Sequence, residues 1–426
     1  MARQRQGSGI QPDARAAPAA RRRRPGSGFW AVAFAFLVVM AVATLPSPLY
    51  GLYRIRDHLS ALMITVVFAI FAGGTIAVLL GDRFFAARLG RRGVMLGSVA
   101  TMMIAAGLLA GWQALPGLLI GRFITGVAVG LAAGVATPYL IELRQRADPN
   151  SSATRAQVIG TSVTVGGLGI GPLIAGFLAE WVGQPLIVPY LVFVALGAVA
   201  LAGLWTVPET GTRATQLAAA TAPTSSRHPV RLPAPAAAGT LAAFAGNGLY
   251  AGLSGLFLAT TLHHPSHALA GAALFVVFSC GVASQLATAG MAASRVLGLG
   301  LISMLAGLVL LVASVRLAAP SLALFLVAGG LIGAGSGTVF KGTTGLVLAV
   351  SPPESRISMT SALVIALYIG LSVPVIGAGV ALDVGASAPD TVFGFAILVA
   401  LGVAVSGWAL LGRRTVTRQL GSQGRR

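Results

Sequence analysis

Charged residues and cysteine are scarce in this sequence. Only 9% of its 426 residues are charged, whereas soluble globular domains average about 25%, which excludes an ordinary soluble enzyme or binding domain. The single cysteine, Cys280, excludes an intrachain disulfide and a thiolate metal site. No Gly-rich loop followed by lysine is present, so ATP-driven pumping has no support. We predict no metal site and no cofactor. A hydrophobic content of 56% and a mean hydropathy of +0.87 indicate a protein with many membrane spans.

Carboxylates are missing from the middle of every long apolar segment. All acidic residues lie in tails, in loops or near segment ends. Proton-coupled transporters usually carry a protonatable group within the membrane. Coupling here would use Glu142, Asp383 or a network of tyrosine and lysine, or it would not use protons. A permanently cationic compound would also need a carboxylate within the membrane to bind its charge, and none is present in the middle of a segment. This absence favours neutral, amphipathic or anionic substrates.

Apolar segments dominate the rest of the chain, and each is long enough to cross a bilayer at about 20 residues per crossing. They lie near 29–50, 60–81, 93–113, 118–141, 156–180, 186–206, 238–262, 268–290, 296–316, 320–347, 357–382 and 391–412. We predict an all-α integral membrane protein with twelve transmembrane helices in two pseudo-symmetric six-helix bundles. The divisions are a disordered basic tail 1–28, a first bundle 29–206, a polar linker 207–237, a second bundle 238–412 and a tail 413–426.

Arginine is distributed unevenly between the two sides of this predicted topology. With the amino terminus inside, twenty-four arginines fall on the inner side and three, Arg54, Arg56 and Arg316, on the outer side. Such a bias sets the orientation of bacterial membrane proteins. It predicts a multi-pass protein of the bacterial cytoplasmic membrane with both termini in the cytoplasm. The net charge of +19 therefore reflects topology and indicates no nucleic-acid partner.

The two predicted bundles share residues at a nearly constant spacing. Gly126, Gly130 and Gly134 of the fourth segment recur as Gly329, Gly333 and Gly337 of the tenth, and Pro172 of the fifth corresponds to Pro374 of the eleventh. Duplication of six spans is typical of transporters built from two bundles.

Several motifs resemble those of the major facilitator superfamily. The loop from Arg83 to Arg92 is similar to the family signature G-x-L-A-D-R-x-G-R-R, with Ala87 in place of its Asp and Arg83 in place of its first Gly. In the family this loop locks the inner gate by charge pairs, and Asp82 is a candidate substitute for the missing carboxylate. The resemblance implies gating roles for Asp82, Arg88, Gly90, Arg91 and Arg92. A basic loop that only sets topology is the alternative.

Further motifs in the fourth, fifth and sixth segments support the same resemblance. Arg122 to Gly126 resembles the R-x-x-x-G motif of the fourth helix, and Pro208-Glu209-Thr210 resembles a P-E-T sequence after the sixth. The stretch from Gly167 to Gly176 is similar to the fifth-helix motif of the family's drug antiporters, which implies gating roles for Gly167, Gly171, Pro172 and Gly176, with Pro374 as the counterpart of Pro172. Close helix packing without any statement about direction is the alternative.

Five polar residues are candidates for substrate binding. Arg122 would face the cavity and bind an anionic group, or its side chain would snorkel to the outer interface. Lys341, the only lysine, would bind an anion or take part in coupling, or it would snorkel to the inner interface. Asn247, Tyr250 and Tyr368 would line the cavity, or each would be an ordinary packing residue.

We therefore predict a secondary transporter that moves a small organic compound across the bilayer by alternating access. Efflux is the favoured direction, protons are the candidate coupling ion, and the protein is expected to be a monomer and not an enzyme. Uptake of a sugar or organic acid is the alternative within the class. A non-transporting membrane sensor is a further alternative. A membrane enzyme would need a cluster of His, Asp, Ser or Cys in one leaflet, and the sequence has none.

Overall fold

The computed structural model describes residues 25–148, 153–210, 232–352 and 355–423. Most of this part of the chain is α-helical, and it contains twelve helical segments long and apolar enough to span a membrane, which confirms the predicted number. The helices are α1 (Pro25–Thr44), α2 (Tyr50–Asp57), α3 (Ala61–Gly111), α4 (Leu115–Ala147), α5 (Ala153–Trp181), α6 (Val188–Trp205), α7 (Ala234–Thr260), α8 (His267–Ala287), α9 (Ala293–Arg316), α10 (Leu322–Val350), α11 (Arg356–Asp383) and α12 (Ala388–Gln423).

Two of these helices depart from the one-helix, one-span pattern. The long helix α3 contains two spans, Ala61–Gly81 and Leu89–Gly111, separated by a kink at Gly90. The first span is instead divided into α1, a short 3-10 turn at Ser47–Leu49 and α2. Pro46 and Pro48 cause this division, because proline lacks the backbone N–H that continues a helix.

Several helix boundaries differ from the predicted ones. α1 begins at Pro25 and α7 at Ala234, so both take residues that were assigned to the tail and the linker. Proline is favourable in the first turn of a helix, and Pro25 and Pro235 lie in such positions. The backbone of α12 continues to Gln423, into the predicted carboxyl-terminal tail. The predicted disorder of 1–24 and most of the linker, 211–231, lie outside the described residues.

Glycine allows the helices within each half to approach backbone to backbone. A Cβ on Gly126 of α4 would overlap the carbonyl oxygen of Phe71 in α3, and a Cβ on Gly333 of α10 would overlap that of Val277 in α8. These two contacts correspond between the halves. In the structure, Gly126 therefore corresponds to Gly333. The sequence spacing had indicated Gly329, which lies one helical turn before Gly333.

The two halves, 25–210 and 232–423, contact one another at one side of the bundle. We call the side where α1 begins and α12 ends the tail side, and the opposite side the far side. A Cβ on Gly176 of α5 would overlap the carbonyl oxygen of His267 in α8, and a Cβ on Gly379 of α11 would lie 3.0 Å from the Cα of Leu62 in α3. At the tail side, the contacts of Arg91 with Glu142 and of Arg146 with Glu209 each lie within the first half. The structure is therefore closed at its far side.

Candidate substrate pathway

Arg122 lies inside the first half and not at a membrane interface. Its side chain is only 1% exposed, and its guanidinium donates hydrogen bonds to three carbonyl oxygens. Nη1 lies 2.6 Å from Ala43 O, Nη2 3.3 Å from Phe68 O and Nε 3.4 Å from Val67 O. The guanidinium carbon also lies 4.7 Å from the centre of the Phe71 ring. The snorkelling alternative for this residue was wrong.

The position of Ala43 explains why an arginine is buried here without a carboxylate. Ala43 is in the last turn of α1, where the final carbonyl groups of a helix have no N–H partner within the helix. Pro46 and Pro48 prevent the chain from continuing the helix. A cation near the carboxyl end of a helix satisfies these carbonyls and interacts favourably with the helix dipole. Arg122 therefore caps the interrupted first span with three of its five N–H donors, and its binding of a substrate stays a prediction.

An aromatic contact beside Arg122 connects the two halves. The ring of Phe71 in α3 packs edge-on against the ring of Tyr368 in α11, with 5.9 Å between the ring centres. Phe71 thus has Arg122 on one side and the opposite half on the other. This contact places Tyr368 at the interface between the halves, where the sequence predicted a cavity wall.

Six buried polar side chains of the second half have an atom without a partner among the described residues: Thr240, Asn247, Thr343, Thr344, Ser372 and Thr391. Two of them, Asn247 of α7 through its Oδ1 atom and Ser372 of α11 through its hydroxyl, lie next to a close contact between their helices. Their helices touch at the adjacent positions, where a Cβ on Gly248 would overlap the carbonyl oxygen of Leu371. An unpartnered buried acceptor is costly unless a ligand or water satisfies it. Asn247 therefore remains a candidate for substrate binding, and Ser372 is a candidate that the sequence analysis missed.

Tyr250 and Lys341 are each occupied by a contact within the second half. The Tyr250 hydroxyl donates to Phe325 O at 2.6 Å, and the residue is buried between α7 and α10. The Lys341 ammonium donates to Gln285 O at 2.6 Å and to the Thr288 hydroxyl at 3.1 Å, at the carboxyl end of α8. These contacts favour a packing role for the tyrosine and a helix-capping role for the lysine.

The glycines of α5 face two different neighbours. Gly167 and Gly171 pack against α1 of the same half, where a Cβ on Gly171 would overlap Ala41 O. Gly169 and Gly176 pack against α8 of the opposite half, so Gly176 is the one predicted gating glycine of α5 that touches the interface between the halves. Pro172 belongs to that interface too, because its carbonyl oxygen is overlapped by a Cβ on Gly271 of α8.

Pro374, the predicted counterpart of Pro172, has a different environment. It lines a groove of about 740 Å³ between α7, α11 and α12. This groove is bounded by helices of the second half only. The correspondence between the two prolines therefore holds in sequence spacing and helix position but not in the neighbours that they contact.

The loop that resembles the family signature is held by Glu209. Gly90 has a positive φ of 74°, a conformation that favours glycine, and a Cβ there would lie 2.7 Å from Glu209 Oε2. The backbone N–H groups of Arg91 and Arg92 donate to the Glu209 carboxylate at 3.1 and 3.0 Å. Glu209 thus caps the helix that follows the kink. The side chains of Asp82 and Arg88 lie outside the described ones, so the substitute role of Asp82 stays a prediction.

Glu142 belongs to the same tail-side cluster. Its Oε1 lies 2.8 Å from Arg91 Nη2, and its Oε2 accepts a hydrogen bond from the Thr210 hydroxyl at 2.5 Å. Arg146 donates to the carbonyl oxygens of Glu209 and Thr210. The P-E-T sequence, noted as a motif, is therefore the part of the chain that anchors the signature loop. All these contacts lie within the first half, so in this state they organise that half and do not bridge to the other.

Replacing Glu209 by glutamine is expected to lower the free energy of unfolding by about 1–2 kcal/mol, because the charge-assisted cap of two N–H groups is weakened. Thermal unfolding of the purified protein measures this. Asp390→Asn is the control, since Asp390 forms an exposed ion pair with Arg316 at 2.6 Å and such pairs contribute little. Equal stability of the two variants would contradict the capping role.

Asp383, the second predicted coupling residue, lies at the far side. Its carboxylate accepts hydrogen bonds from the backbone of Ala61 and Leu62 at the start of α3, at 2.9 and 3.3 Å. It therefore joins α11 of the second half to α3 of the first. It touches no residue of the tail-side cluster among those described.

The structure consists of two six-helix halves that meet at one side, and buried polar groups without partners among the described residues lie in the spans. This arrangement is that of a secondary transporter of small molecules. A family model described as the Major Facilitator Superfamily matches residues 32–295. The chain belongs to the major facilitator superfamily, as its motifs indicated, and it is a membrane transporter and not an enzyme.

A solved structure of similar fold supports this assignment. The crystal structure of a point mutant of the nucleoside transporter NupG superposes with a TM-score of 0.65 and 12% sequence identity, over 91% of this chain and 99% of that one. At this identity the likeness concerns the fold alone. Among curated proteins, no sequence matches the chain.

Proposed function

We propose that the protein exports a small neutral, amphipathic or anionic organic compound from the bacterial cytoplasm, acting as a monomer with both termini inside. The arginine-rich tail side would then be the cytoplasmic side. With the far side closed, the structure would be an inward-open state, ready to take up substrate from the cytoplasm. Exchange of the compound for protons is the coupling that we propose to test.

The packing of α5 is the observation that carries the proposal of alternating access, and the motif in this helix favours export. This helix has the motif that resembles the family's drug antiporters. Its Gly171 packs against α1 and its Gly176 packs against α8. A single helix therefore contacts its own half through one glycine face and the opposite half through another. Alternating access is expected to occur by rocking of the two halves. Such rocking would move the contact of Gly176 with α8 and preserve the contact of Gly171 with α1.

The chemistry of the spans supports the proposed substrate class. In the described spans, carboxylates lie only near helix ends, as with Glu142, Glu180 and Asp383. The buried cation Arg122 is balanced by carbonyl oxygens. Among the described residues, Asn247 offers an amide oxygen and Ser372 a hydroxyl without a partner. Such groups suit a polar but uncharged substituent, and Tyr368 adds an aromatic surface.

Efflux of dyes and antibiotics from bacteria that lack their main pumps tests this function. We expect protonophore-sensitive efflux from cells that express the protein and reduced efflux for a variant with Asn247→Ala and Ser372→Ala. The single variant Lys341→Met is expected to keep efflux, because its ammonium contacts α8. Immunoblots of membranes show that all variants are present. Efflux equal to that of the empty vector over a broad panel would contradict export and direct attention to uptake of sugars, organic acids or nucleosides.

A further inference from the structure

Glu180, at the carboxyl end of α5, reaches across to the other half. Its Oε2 atom accepts hydrogen bonds from the backbone of His267 at 2.8 Å and of Ala268 at 3.2 Å, and from the Ser266 hydroxyl at 3.1 Å. These groups form the beginning of α8. One carboxylate of the first half thus occupies the amino terminus of a helix of the second half.

Asp383 forms the reverse arrangement. It lies at the carboxyl end of α11, and its carboxylate accepts from the backbone of Ala61 and Leu62 at the beginning of α3. Here a carboxylate of the second half occupies the amino terminus of a helix of the first half. We call the contact of Glu180 with α8 and the contact of Asp383 with α3 the two latches.

The two latches are related by the internal repeat of the chain. Asp383 follows Glu180 by 203 residues, one more than the 202 that separate Pro172 and Pro374 in the same two helices. The N–H groups that the latches engage, in Ala61 and His267, are separated by 206 residues. Equivalent helices of the two halves therefore carry equivalent contacts. Surface hydrogen bonds that formed by chance would not recur at equivalent positions in both halves.

Serine completes both helix starts in the same way. Ser60 Oγ accepts from Met63 N at 3.2 Å, and Ser266 Oγ accepts from Leu269 N at 3.2 Å. Each helix start has N–H groups without partners inside the helix. In both helices the serine satisfies the third of these groups and the carboxylate of the opposite half satisfies the first two. The helix starts are thus fully capped only while the halves are in contact.

The position of each carboxylate in its own helix is locally unfavourable. A negative charge in the last turn of a helix faces the negative end of the helix dipole. Neither α5 nor α11 has a basic residue in its last turn to offset this. The amino terminus of the opposing helix supplies the compensating positive potential. The halves must therefore meet for either charge to be well placed.

We propose that Glu180 and Asp383 are paired gating residues that hold the far side of the transporter closed. This proposal rests on the proposed alternating access and adds the specific contacts that separate when the far side opens. His267 adds to the Glu180 latch, since its ring nitrogen Nδ1 lies 3.3 Å from Pro48 O of the first half. Opening exchanges these contacts for contacts with water, so each latch biases the equilibrium modestly and remains reversible.

Double electron–electron resonance spectroscopy of the whole protein tests the proposal without any substrate. Spin labels would be placed on cysteines at Ile55 and Ala319, which are exposed on the far side of the first and second halves, with Cys280→Ala. The variants are Glu180→Gln, Asp383→Asn and both together. Asp390→Asn is the matched control, because this far-side carboxylate pairs with Arg316 of its own half. Thermal unfolding confirms that each variant is folded.

We expect the ratio of long to short far-side distances to rise about fivefold in each single variant, the effect of a charge at a helix terminus. It should rise about 25-fold in the double variant, because the two contacts bias one equilibrium and their effects multiply. Asp390→Asn should leave the ratio unchanged. An unchanged ratio in the double variant, or an equal rise in the control, would overturn the proposal. Should one single variant not fold, the other tests its own latch. Because the readout needs no transport, failure of the export proposal would leave this result interpretable.

Discussion

Replacing Arg122 by methionine is expected to abolish transport and to lower the free energy of unfolding by about 3 kcal/mol. Methionine keeps much of the length but removes hydrogen bonds to the carbonyl oxygens of Ala43, Val67 and Phe68. Hydrogen bonds to charged groups contribute about 1.5–3 kcal/mol each, and buried acceptors left without partners add a further cost. The loss would be largest at Ala43, at the end of the interrupted α1.

Lysine at position 122 is expected to restore less than half of the lost stability. A single ammonium group is more compact than the planar fork of guanidinium and cannot reach three carbonyl oxygens in the same geometry. The control is Arg316→Met, because Arg316 also lies over an aromatic ring, 4.4 Å from the centre of Phe393, but is exposed. Chemical denaturation and the efflux assay measure the two effects. Full activity of Arg122→Met would contradict the capping role.

Replacing Gly74 by alanine is expected to destabilise the first half by about 2–3 kcal/mol, although alanine is normally the better helix former. A Cβ at this position would overlap the carbonyl oxygen of Phe123 and lie 3.0 Å from Val127 N in α4. Backbone atoms cannot rotate away as side chains do, so α3 and α4 would have to separate. Overpacking of a close contact typically costs about 1–3 kcal/mol.

The neighbouring residue Gly73 supplies a matched control. It is exposed, and a Cβ there would meet nothing within 4 Å. Gly73→Ala is therefore expected to be neutral or to stabilise the protein by up to about 1 kcal/mol, the difference in helix propensity. Thermal unfolding of the two single variants compares identical chemistry one residue apart. A similar change in both would show that close approach of α3 and α4 does not determine the effect.

The sequence was sufficient to predict the twelve spans, because hydropathy over about 20 residues is the strongest signal that a membrane imposes. The helix starts at Pro25 and Ala234 were missed because the predicted segments began only where the apolar runs begin. The tolerance of proline in a first turn was the signal that would have corrected both boundaries.

The partners of the site residues were harder to predict, because they lie far apart in the chain. Nothing local to Arg122 indicates that it reaches the end of α1, although Pro46 and Pro48 do indicate that this end needs a partner. Glu209 was visible as part of a motif, but its contact with the N–H groups after Gly90 requires the kink in α3. The sequence analysis did not predict the contact of Glu180 with α8. The spacing of 203 residues between Glu180 and Asp383, close to that of the internal repeat, was nevertheless visible in the sequence.

A reversible cross-link across the far-side interface tests the central claim, that transport requires the halves to separate there. Cysteines would replace Thr65 and Gly379, since a Cβ on Gly379 lies 3.0 Å from Thr65 Cγ2 across the halves, and disulfides need a Cβ separation of about 3.5–4.5 Å. The control pair, Thr137 and Gly160, has the same residue types within the first half, with a Cβ on Gly160 lying 3.5 Å from Thr137 Cβ. Both proteins would carry Cys280→Ala.

Efflux would be measured in both proteins before oxidation, after oxidation and after reduction. We predict that oxidation stops transport by the protein with cysteines at Thr65 and Gly379, that reduction restores it, and that the control pair transports equally in all three conditions. Continued transport with the inter-half disulfide formed would contradict alternating access through the far side.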